Sequence, residues 1–365
     1  MLCSIEGETM VTHEFLDSSV IRRDMEELSQ CGLNWNRISD TGILITGAYG
    51  MLASYIVYFL IFLNEFCDSN IKIYAQFRDK TKLRKRFGKY VEKPYFNSMQ
   101  CDLSEELSLP GDVDYIVHAA GLASSNHYAK CPVDVLLPNV VGTYNLLNLA
   151  CLKKVRGFLF FSTGGVYGKT KDNSKINECD FGSLDPASPH SCYEESKRMG
   201  ETMCYSYAKQ FSVPAKVVRI AHTYGPTMDL ETDPRVFSEF MRNAIEGNDI
   251  VMKSDGTAKR VFCYLTDAVA GFFTILLDGT VGEAYNITNP GEQLTISELA
   301  ELVLELSGNR KRVVFKQRDK SESYLEDPNA GFSVLSVAKL ETLGWKPGVS
   351  ARDGFRRVMS HFTNI

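Results

Sequence analysis

Two side chains that could carry out proton transfer stand four residues apart in a helical stretch of the chain. Tyr193 and Lys197 would lie one above the other on the same face of that helix, behind a capping box predicted from Ser191 and Glu194. An ammonium group close to a phenol lowers the pKa of the phenol, so the pair could form a base that takes the proton of a substrate hydroxyl. Because a tyrosine and a lysine at this spacing are common, the elements around them decide whether they form a site.

A third polar side chain stands at the end of a buried strand upstream of this pair. The run at residues 157–162 is apolar and strand-like, and Thr163 follows it, before Gly164 and Gly165. A hydroxyl at this place can hold a reacting oxygen beside Tyr193. Thr163 is therefore a candidate partner of the pair.

A glycine-rich turn follows the first strand, where the chain reads TGAYGMLA over residues 46–53. Gly47 and Gly50 would let the backbone approach a pyrophosphate, and the start of the following helix would offer it free N–H groups. Ala53 takes the place of a third glycine and is small enough for close packing of the helix. Since the turn lies between a strand and a helix, the pattern predicts a dinucleotide-binding site.

The end of the second strand bears on which dinucleotide is bound. An NAD site normally carries Asp or Glu there for the ribose hydroxyls, whereas this chain has Arg78, followed by Lys80 and Lys82. A guanidinium suits a 2′-phosphate, so the sequence favours NADP over NAD as cofactor. A solvated basic loop is the alternative interpretation.

The elements that must position these residues alternate between strand and helix. Strand-like runs are predicted at residues 42–46, 71–77, 115–119, 157–162 and 215–220, and helices after the glycine turn to about residue 66 and near residues 139–153 and 192–211. Strands separated by helices indicate βαβ units. The predicted fold class is therefore α/β, with a Rossmann-type, doubly wound parallel sheet over residues 41–221.

Two parts of the chain lie outside this alternation. Residues 222–365 carry shorter helices, loops and two strand pieces at 249–252 and 285–288. We expect them to form mainly a smaller C-terminal substrate-binding lobe that is interleaved with the Rossmann domain. Residues 1–40 are expected to be a helical N-terminal leader, because apolar residues recur there at helical spacing, at positions 16, 20, 21, 25 and 28.

Composition and charge argue against several classes of protein. The 365 residues are 44% hydrophobic, and 40 Lys and Arg residues stand against 45 Asp and Glu residues, a formal net charge of −5. With no excess of positive charge, nucleic acid is not an expected partner. The ten cysteines are scattered singly, which predicts reduced thiols and no metal site, and the most apolar run, residues 55–63, is too short to span a bilayer. We therefore expect a cytoplasmic protein that does not bind membranes.

These motifs together resemble the extended short-chain dehydrogenase/reductase family, in particular its nucleotide-sugar epimerase/dehydratase branch, over about residues 41–350. Further motifs carry the resemblance in the same order along the chain. They are CDL at 101–103, HAAG at 118–121, NVVGT at 139–143, STGGVYG at 162–168, RIAHTYGP at 219–226, RVFCYLTDA at 260–268, YNI at 285–287 and LGWKP at 343–347.

The resemblance implies roles for individual residues. Thr163, Tyr193 and Lys197 would be the catalytic residues, with Thr163 also in contact with a nucleotide-diphosphate sugar. Arg260 and Arg235 would face the diphosphate of that substrate. The implied cofactor-binding residues are Gly47, Tyr49, Gly50, Met51, Arg78, Asp102, Leu103, Ala119, Ala120, Gly121, Ser162, Tyr193 and Lys197. The family also pairs two protomers through the helices at 139–153 and 192–211, which implies a homodimer.

The residues after Thr163 bear on the reaction that follows oxidation at sugar C4. Members that dehydrate the sugar carry Asp-Glu there, and decarboxylases typically carry Ser-Glu, whereas this chain has Gly164 and Gly165. Two glycines leave room for a keto sugar to turn over, so the sequence favours an NDP-sugar 4-epimerase. Three alternatives stay open. They are an NADPH-dependent 4-keto-sugar reductase, a dehydratase or decarboxylase whose acid or base comes from His190, Cys192, Glu194 or His222, and a non-enzymatic NADP sensor.

Overall fold

The structure is a computed structural model that describes residues 15–123, 125–170, 175–188, 190–308, 312–316 and 334–363. Its strands are β1 Gly42–Ile45, β2 Lys72–Phe77, β3 Phe96–Gln100, β4 Tyr115–His118, β5 Gly157–Thr163, β6 Ala215–Ile220, β7 Thr223–Tyr224, β8 Ile250–Met252, β9 Lys259–Val261, β10 Cys263–Tyr264, β11 Ala284–Ile287, β12 Gln293–Thr295 and β13 Val313–Phe315.

Helices connect most of these strands. The α-helices are α1 Ser19–Ser29, α2 Met51–Phe66, α3 Lys80–Phe87, α4 Ser125–Lys130, α5 Pro132–Lys153, α6 Ser191–Phe211, α7 Val236–Ile245, α8 Leu265–Asp278, α9 Ile296–Ser307, α10 Ala338–Glu341 and α11 Ala351–Thr363. Short 3-10 helices lie at Phe15–Asp17, Trp35–Arg37, Gly88–Glu92 and Gly164–Tyr167.

Seven parallel strands form the central sheet, in the order β11-β6-β5-β4-β1-β2-β3. Strands buried on both faces need apolar side chains in both directions, and β1 and β4 are buried along their whole length. The strand order reverses between β1 and β4, where a crevice opens at the carboxyl ends of the strands. The α/β prediction with a Rossmann-type sheet is confirmed.

Two hydrophobic cores cover the two faces of the sheet. Ile43 and Ile45 point to the face covered by α2 and α8, whereas Leu44 points to the face covered by α5 and α6. Strand β3 was not predicted from the sequence, and the strand piece predicted at 285–288 was not assigned to the main sheet. In the structure β11 pairs in parallel with β6, so the chain returns to the central sheet after entering the second lobe.

The second lobe has its own core. Three two-stranded sheets, β7 with β10, β8 with β13 and β9 with β12, pack with α7, α9 and α11. Phe240, Tyr264 and Phe355 are fully buried at the centre of this core. Because β7 and β10 lie directly after β6 and before α8, the lobe is joined to the carboxyl edge of the main sheet.

Residues 15–40 pack on the body of the protein through α1. Ile21, Met25 and Leu28 are buried, as their spacing predicts, against α2, α8 and α11. Asp24 is buried as well, and it accepts hydrogen bonds from the hydroxyls of Tyr55 at 2.5 Å and Tyr264 at 2.6 Å. The leader helix is therefore tied to both lobes. Residues 1–14 lie outside the described residues.

The predicted capping box at the start of α6 is not formed. His190 is the N-cap residue, and Ser191, which is the first residue inside the helix, donates its hydroxyl to the carbonyl of Asp185. A serine must precede the first helical residue for its oxygen to accept from the N–H groups of the first turn. The start of α6 therefore lies one residue earlier than the box requires.

Candidate active site

The structure brings Thr163, Tyr193 and Lys197 together at the carboxyl end of β5. The side chain of Thr163, the last residue of β5, lies near enough to the phenol of Tyr193, in the first turn of α6, to favour the charged form of that phenol. Lys197 is buried one turn further along, with its Nζ 5.8 Å from the centre of the Tyr193 ring. Its ammonium donates to the carbonyl of Phe161 at 2.7 Å.

Burial dominates the electrostatics of this group. Desolvation raises the pKa of Tyr193 to about 12, and the Thr163 hydrogen bond opposes only part of that rise. Desolvation also lowers the pKa of Lys197 to about 7. Burial is therefore the main influence on both pKa values in this structure, and the expectation that Lys197 lowers the pKa of Tyr193 beside a bound nicotinamide stays a prediction.

Tyr128 is a member of the site that sequence reasoning missed. Its ring stacks on the ring of Tyr193, with centroids 5.1 Å apart and planes inclined by 16°. It also meets the ring of His190 edge-on at 5.5 Å. Tyr128 belongs to α4, a short helix with no motif, so nothing in the sequence links it to α6. The stack limits how the Tyr193 ring can move.

Side chains from two other parts of the chain lie close to Gly164 and Gly165. A Cβ placed on Gly164 would lie 3.3 Å from Cδ1 of Leu335, and one placed on Gly165 would lie 3.1 Å from Oε1 of Glu194. The prediction that these glycines leave room for a sugar to turn over stays a prediction. Leu335 comes from a distant part of the chain, so no local pattern predicts its contact with Gly164.

The glycine turn has the geometry of a phosphate cradle. Gly47 has a φ of +64°, and a Cβ there would lie 2.9 Å from Cα of Ala120, so a side chain is excluded. Its N–H donates to the side chain of Gln76 at 2.9 Å. Gly50 is the N-cap of α2 and has no side chain to occupy the first N–H groups of the helix. These features fit a dinucleotide pyrophosphate.

A buried histidine fixes the neighbouring strand end. Thr46 Oγ1 accepts from the N–H groups of Ala119 and Ala120, at 3.1 and 3.0 Å, and lies 2.9 Å from Nδ1 of His118. Desolvation, followed by the charge of Lys197, lowers the pKa of His118 to about 3. The neutral His118 ring thus fixes the position of the HAAG segment relative to the glycine turn. A cofactor that contacts both segments would require such a fixed position.

Asn139 supplies an acceptor that has no partner. Its Nδ2 donates to the carbonyl of Val135 and to the hydroxyl of Ser196, both at 3.0 Å, while its buried Oδ1 has no hydrogen-bond partner among the described residues. A Cβ on Gly121 would lie 3.0 Å from this oxygen and 3.5 Å from Nζ of Lys197. A buried acceptor without a partner is costly, and a polar group from outside the chain could satisfy it. The NVVGT motif, which begins at Asn139, was the available signal.

Other residues implied for the cofactor are spread along the same edge. Arg78 is exposed directly after β2, Asp102 is exposed after β3 and accepts from the N–H of Ser104, and Leu103 is buried under α5. Tyr49 and Met51 flank Gly50 in the glycine turn. Ser162 differs from these, because its buried hydroxyl donates to Glu201 at 2.5 Å and is already engaged.

The two arginines implied for the substrate flank His222 but are in different states. Arg235 forms an ion pair with Asp233, and its Nη1 donates to the carbonyl of Thr223, so its charge is already compensated. Arg260 is half-buried and donates to the carbonyl of Lys259, and burial lowers its pKa. Arg260 is therefore the guanidinium better able to accept a diphosphate.

The alternative acids and bases lie at different depths. His222 is exposed by its accessible surface, yet desolvation, then Arg260 and Arg235, lower its pKa to about 4. Burial raises the pKa of the half-buried Cys192 thiol. His190 caps α6 and contacts Tyr128, whereas Glu194 has its carboxylate against Gly165.

Comparisons with known proteins agree with this architecture. Residues 43–288 match the NAD dependent epimerase/dehydratase family. The chain is 36% identical over 316 residues to UDP-glucuronic acid decarboxylase 6 of Arabidopsis thaliana, covering 87% of each chain. It is 32% identical over 321 residues to UDP-glucuronic acid decarboxylase 1 of Danio rerio, covering 88% of this chain and 72% of the relative.

Solved structures share the fold at lower sequence identity. UDP-glucose 4-epimerase of Thermotoga maritima superposes with a TM-score of 0.75 at 22% identity, over 88% of this chain and 99% of that one. dTDP-glucose 4,6-dehydratase of Bacillus anthracis, solved in complex with NAD, gives a TM-score of 0.70 at 22% identity, over 89% and 97% of the two chains. With its glycine turn, its strand order and its Thr-Tyr-Lys group, the chain belongs to the NAD dependent epimerase/dehydratase family.

Proposed function

We propose that this protein oxidises a UDP-sugar at C4 and that its substrate is UDP-glucuronic acid, which it decarboxylates. The observation that carries the first part is the grouping of Thr163, Tyr193 and Lys197 at the carboxyl end of β5, the sheet edge that also holds the glycine turn. The second part is supported by the relatives. They are UDP-glucuronic acid decarboxylases, and this chain matches them over most of their length. Epimerisation is less favoured than the sequence suggests, because the relatives at 36% and 32% identity are UDP-glucuronic acid decarboxylases.

The chain's own residues account for the opening step. Tyr193 takes the proton of the C4 hydroxyl, Thr163 holds the oxygen, and the ammonium of Lys197 stabilises the negative charge on the phenol. A nicotinamide dinucleotide held at the glycine turn would supply the hydride acceptor for C4 and the hydride donor for the final reduction. A ketone at C4 stands β to the C6 carboxylate, so the electron pair of the C5–C6 bond can move into an enolate as carbon dioxide leaves.

The mass of the product tests this function. Purified protein supplied with UDP-glucuronic acid and nicotinamide cofactor should give a UDP-sugar lighter by one carbon dioxide. UDP-glucose, which has no carboxylate at C6, is the matched control and should not lose mass. A UDP-glucuronic acid product of unchanged mass but altered configuration at C4 would instead establish epimerisation.

We further propose that NADP is the preferred cofactor, because Arg78 is exposed at the end of β2 where a 2′-phosphate would lie. The Arg78→Asp variant should bind NADP about tenfold more weakly or worse, since one charge-assisted hydrogen bond is lost and an anion is added. Calorimetric titration with NADP and NAD measures the change. Arg84→Asp, an equally exposed change in the last turn of α3, is the control. Tighter binding of NAD than of NADP by the unaltered protein would contradict this preference.

The outer face of α5 and α6 supports a proposed homodimer. Large apolar side chains are exposed along both helices, among them Leu137 and Tyr144 on α5 and Met199 and Tyr205 on α6. By length and composition α5 could span a membrane, but it packs along α6 in this fold. An exposed apolar surface of this kind is typical of a protein–protein interface, and a second copy of the chain would complete a four-helix bundle there.

Charged substitutions on this face should give monomers. We expect the double variant Leu137→Glu/Tyr144→Glu to sediment as a monomer at a concentration where the unaltered protein is a dimer. Phe315→Glu, at an apolar residue on the second lobe that is 65% exposed, should leave the dimer intact. An unaltered protein that sediments as a monomer at micromolar concentration would contradict the proposal.

A further inference from the structure

Glu194 places a carboxylate next to the residues that would hold the C4 oxygen. Its Oε1, Cγ and Cδ lie 3.1, 3.2 and 3.5 Å from the position that a Cβ on Gly165 would take. The N–H of Gly165 in turn donates to Oγ1 of Thr163 at 3.2 Å. Glu194 also directly follows Tyr193 in α6. It therefore belongs to the helix that carries Tyr193 and contacts the segment that follows Thr163.

We propose that Glu194 is a further catalytic residue, which gives a proton to C5 of the sugar after carbon dioxide has left. This inference rests on the proposed decarboxylation. C5 is bonded directly to C4, so a carboxyl group beside Gly165, whose N–H donates to the hydroxyl of Thr163, is within reach of it.

The step balances as a simple proton transfer. Loss of carbon dioxide breaks the C5–C6 bond and leaves its electron pair in an enolate over C5, C4 and the C4 oxygen. The enolate takes a proton at C5 from the carboxyl group of Glu194, which restores the ketone at C4 and leaves a carboxylate. The ketone can then be reduced, and the carboxylate regains a proton from solvent.

Other groups in the site have other tasks. Tyr193 and Thr163 are committed to the C4 oxygen, and the ammonium of Lys197 is engaged by the carbonyl of Phe161. His222 lies beside Arg260 and Arg235, where a diphosphate would bind, rather than beside Thr163. Glu194 is thus the carboxylate placed to act on the carbon next to C4.

Gly165 and Glu194 occupy one space between them. At the distances above, a side chain at position 165 would collide with the Glu194 carboxylate and displace it. A side chain can occupy this space either from position 165, after β5, or from position 194, on α6, but two side chains cannot occupy it together. A glutamate moved from position 194 to position 165 should therefore bring its carboxyl group to the same part of the site.

The first experiment replaces the acid and follows both halves of the reaction. With UDP-glucuronic acid, Glu194→Gln should form the decarboxylated UDP-sugar about 10²-fold more slowly than the unaltered protein. It should still oxidise C4, so reduced nicotinamide should appear and persist. Glu195→Gln, which removes the neighbouring carboxylate that pairs with Arg198 at 3.7 Å, is the matched control and should react normally.

The second experiment tests the shared space. Glu194→Gly should be as slow as Glu194→Gln, and the double variant Gly165→Glu/Glu194→Gly should recover at least about tenfold of the lost rate. A double variant no faster than Glu194→Gly would overturn the proposal. So would a Glu194→Gln variant that keeps full turnover, or one that loses C4 oxidation together with product formation, since Glu194 would then act only through Tyr193.

The outcomes separate this inference from the proposed function. If the unaltered protein forms the decarboxylated UDP-sugar and Glu194→Gln forms it at the same rate, decarboxylation stands and the role of Glu194 is wrong. If the unaltered protein returns UDP-glucuronic acid of unchanged mass or does not react with it, the proposed decarboxylation itself fails.

Discussion

Tyr193→Phe should lower the rate of C4 oxidation by about 10²-fold or more, because it removes the group that takes the hydroxyl proton. The ring, its stack on Tyr128 and the helix around it are retained, so the fold should not change. Single-turnover formation of reduced nicotinamide from the proposed substrate measures this step without the later chemistry. The variant should therefore show almost no reduced nicotinamide, in contrast to Glu194→Gln, where it persists.

Two further variants test whether the lower rate of C4 oxidation comes from the missing proton acceptor or from altered packing. Thr163→Val removes a hydrogen bond to the Tyr193 phenol but leaves the base, so we expect a smaller loss than for Tyr193→Phe. Tyr205→Phe, at an exposed tyrosine on the same helix, should be silent. Normal C4 oxidation by Tyr193→Phe would show that the site has been assigned to the wrong group.

The parts of the site that the sequence predicted are those with a local pattern. Tyr193 and Lys197 are one helical turn apart, and Thr163 ends an apolar strand, so spacing alone places them. The glycine turn is likewise a strand, a turn and a helix in immediate succession. Contacts made across the fold leave no such mark. Leu335 reaches Gly164 from the end of the chain, and the space beside Gly165 depends on how α6 packs on β5.

The fold follows the same division. Apolar runs and glycine turns predicted β1, β2, β4, β5 and β6 to within a residue or two. Within residues 96–100, at the edge of the sheet, Phe96 is buried and the others are half-buried or exposed, so this strand has no apolar run that would predict it. The partner of β11 could not be predicted either, because pairing with β6 is decided by the packing of α8 between them in the chain.

Asp24→Ala should lower the free energy of unfolding by about 3–5 kcal/mol, a loss typical of removing one partner of a buried ion pair. In sequence Asp24 belongs to a polar stretch and would be assigned to the solvent face of α1. In the structure it is fully buried, and Oδ1 accepts from Arg357 at 2.7 Å. Its other oxygen accepts from Tyr55 and Tyr264, so the change leaves two buried hydroxyls without an acceptor.

Two matched variants show which part of the Asp24 network matters. Burial raises the pKa of Asp24, so its charge is held at a cost that the hydrogen bonds and Arg357 only partly offset. Asp24→Asn keeps an acceptor for the tyrosines without that charge, and it should lose less stability than Asp24→Ala in urea unfolding. Glu26→Ala breaks an exposed ion pair with Arg22 on the same helix and should cost about 0–1 kcal/mol. If Asp24→Ala were as stable as Glu26→Ala, α1 would be only an appended helix. A loss of several kcal/mol in the free energy of unfolding would instead show that α1 holds α11 and Tyr264 of the second lobe against the Rossmann sheet.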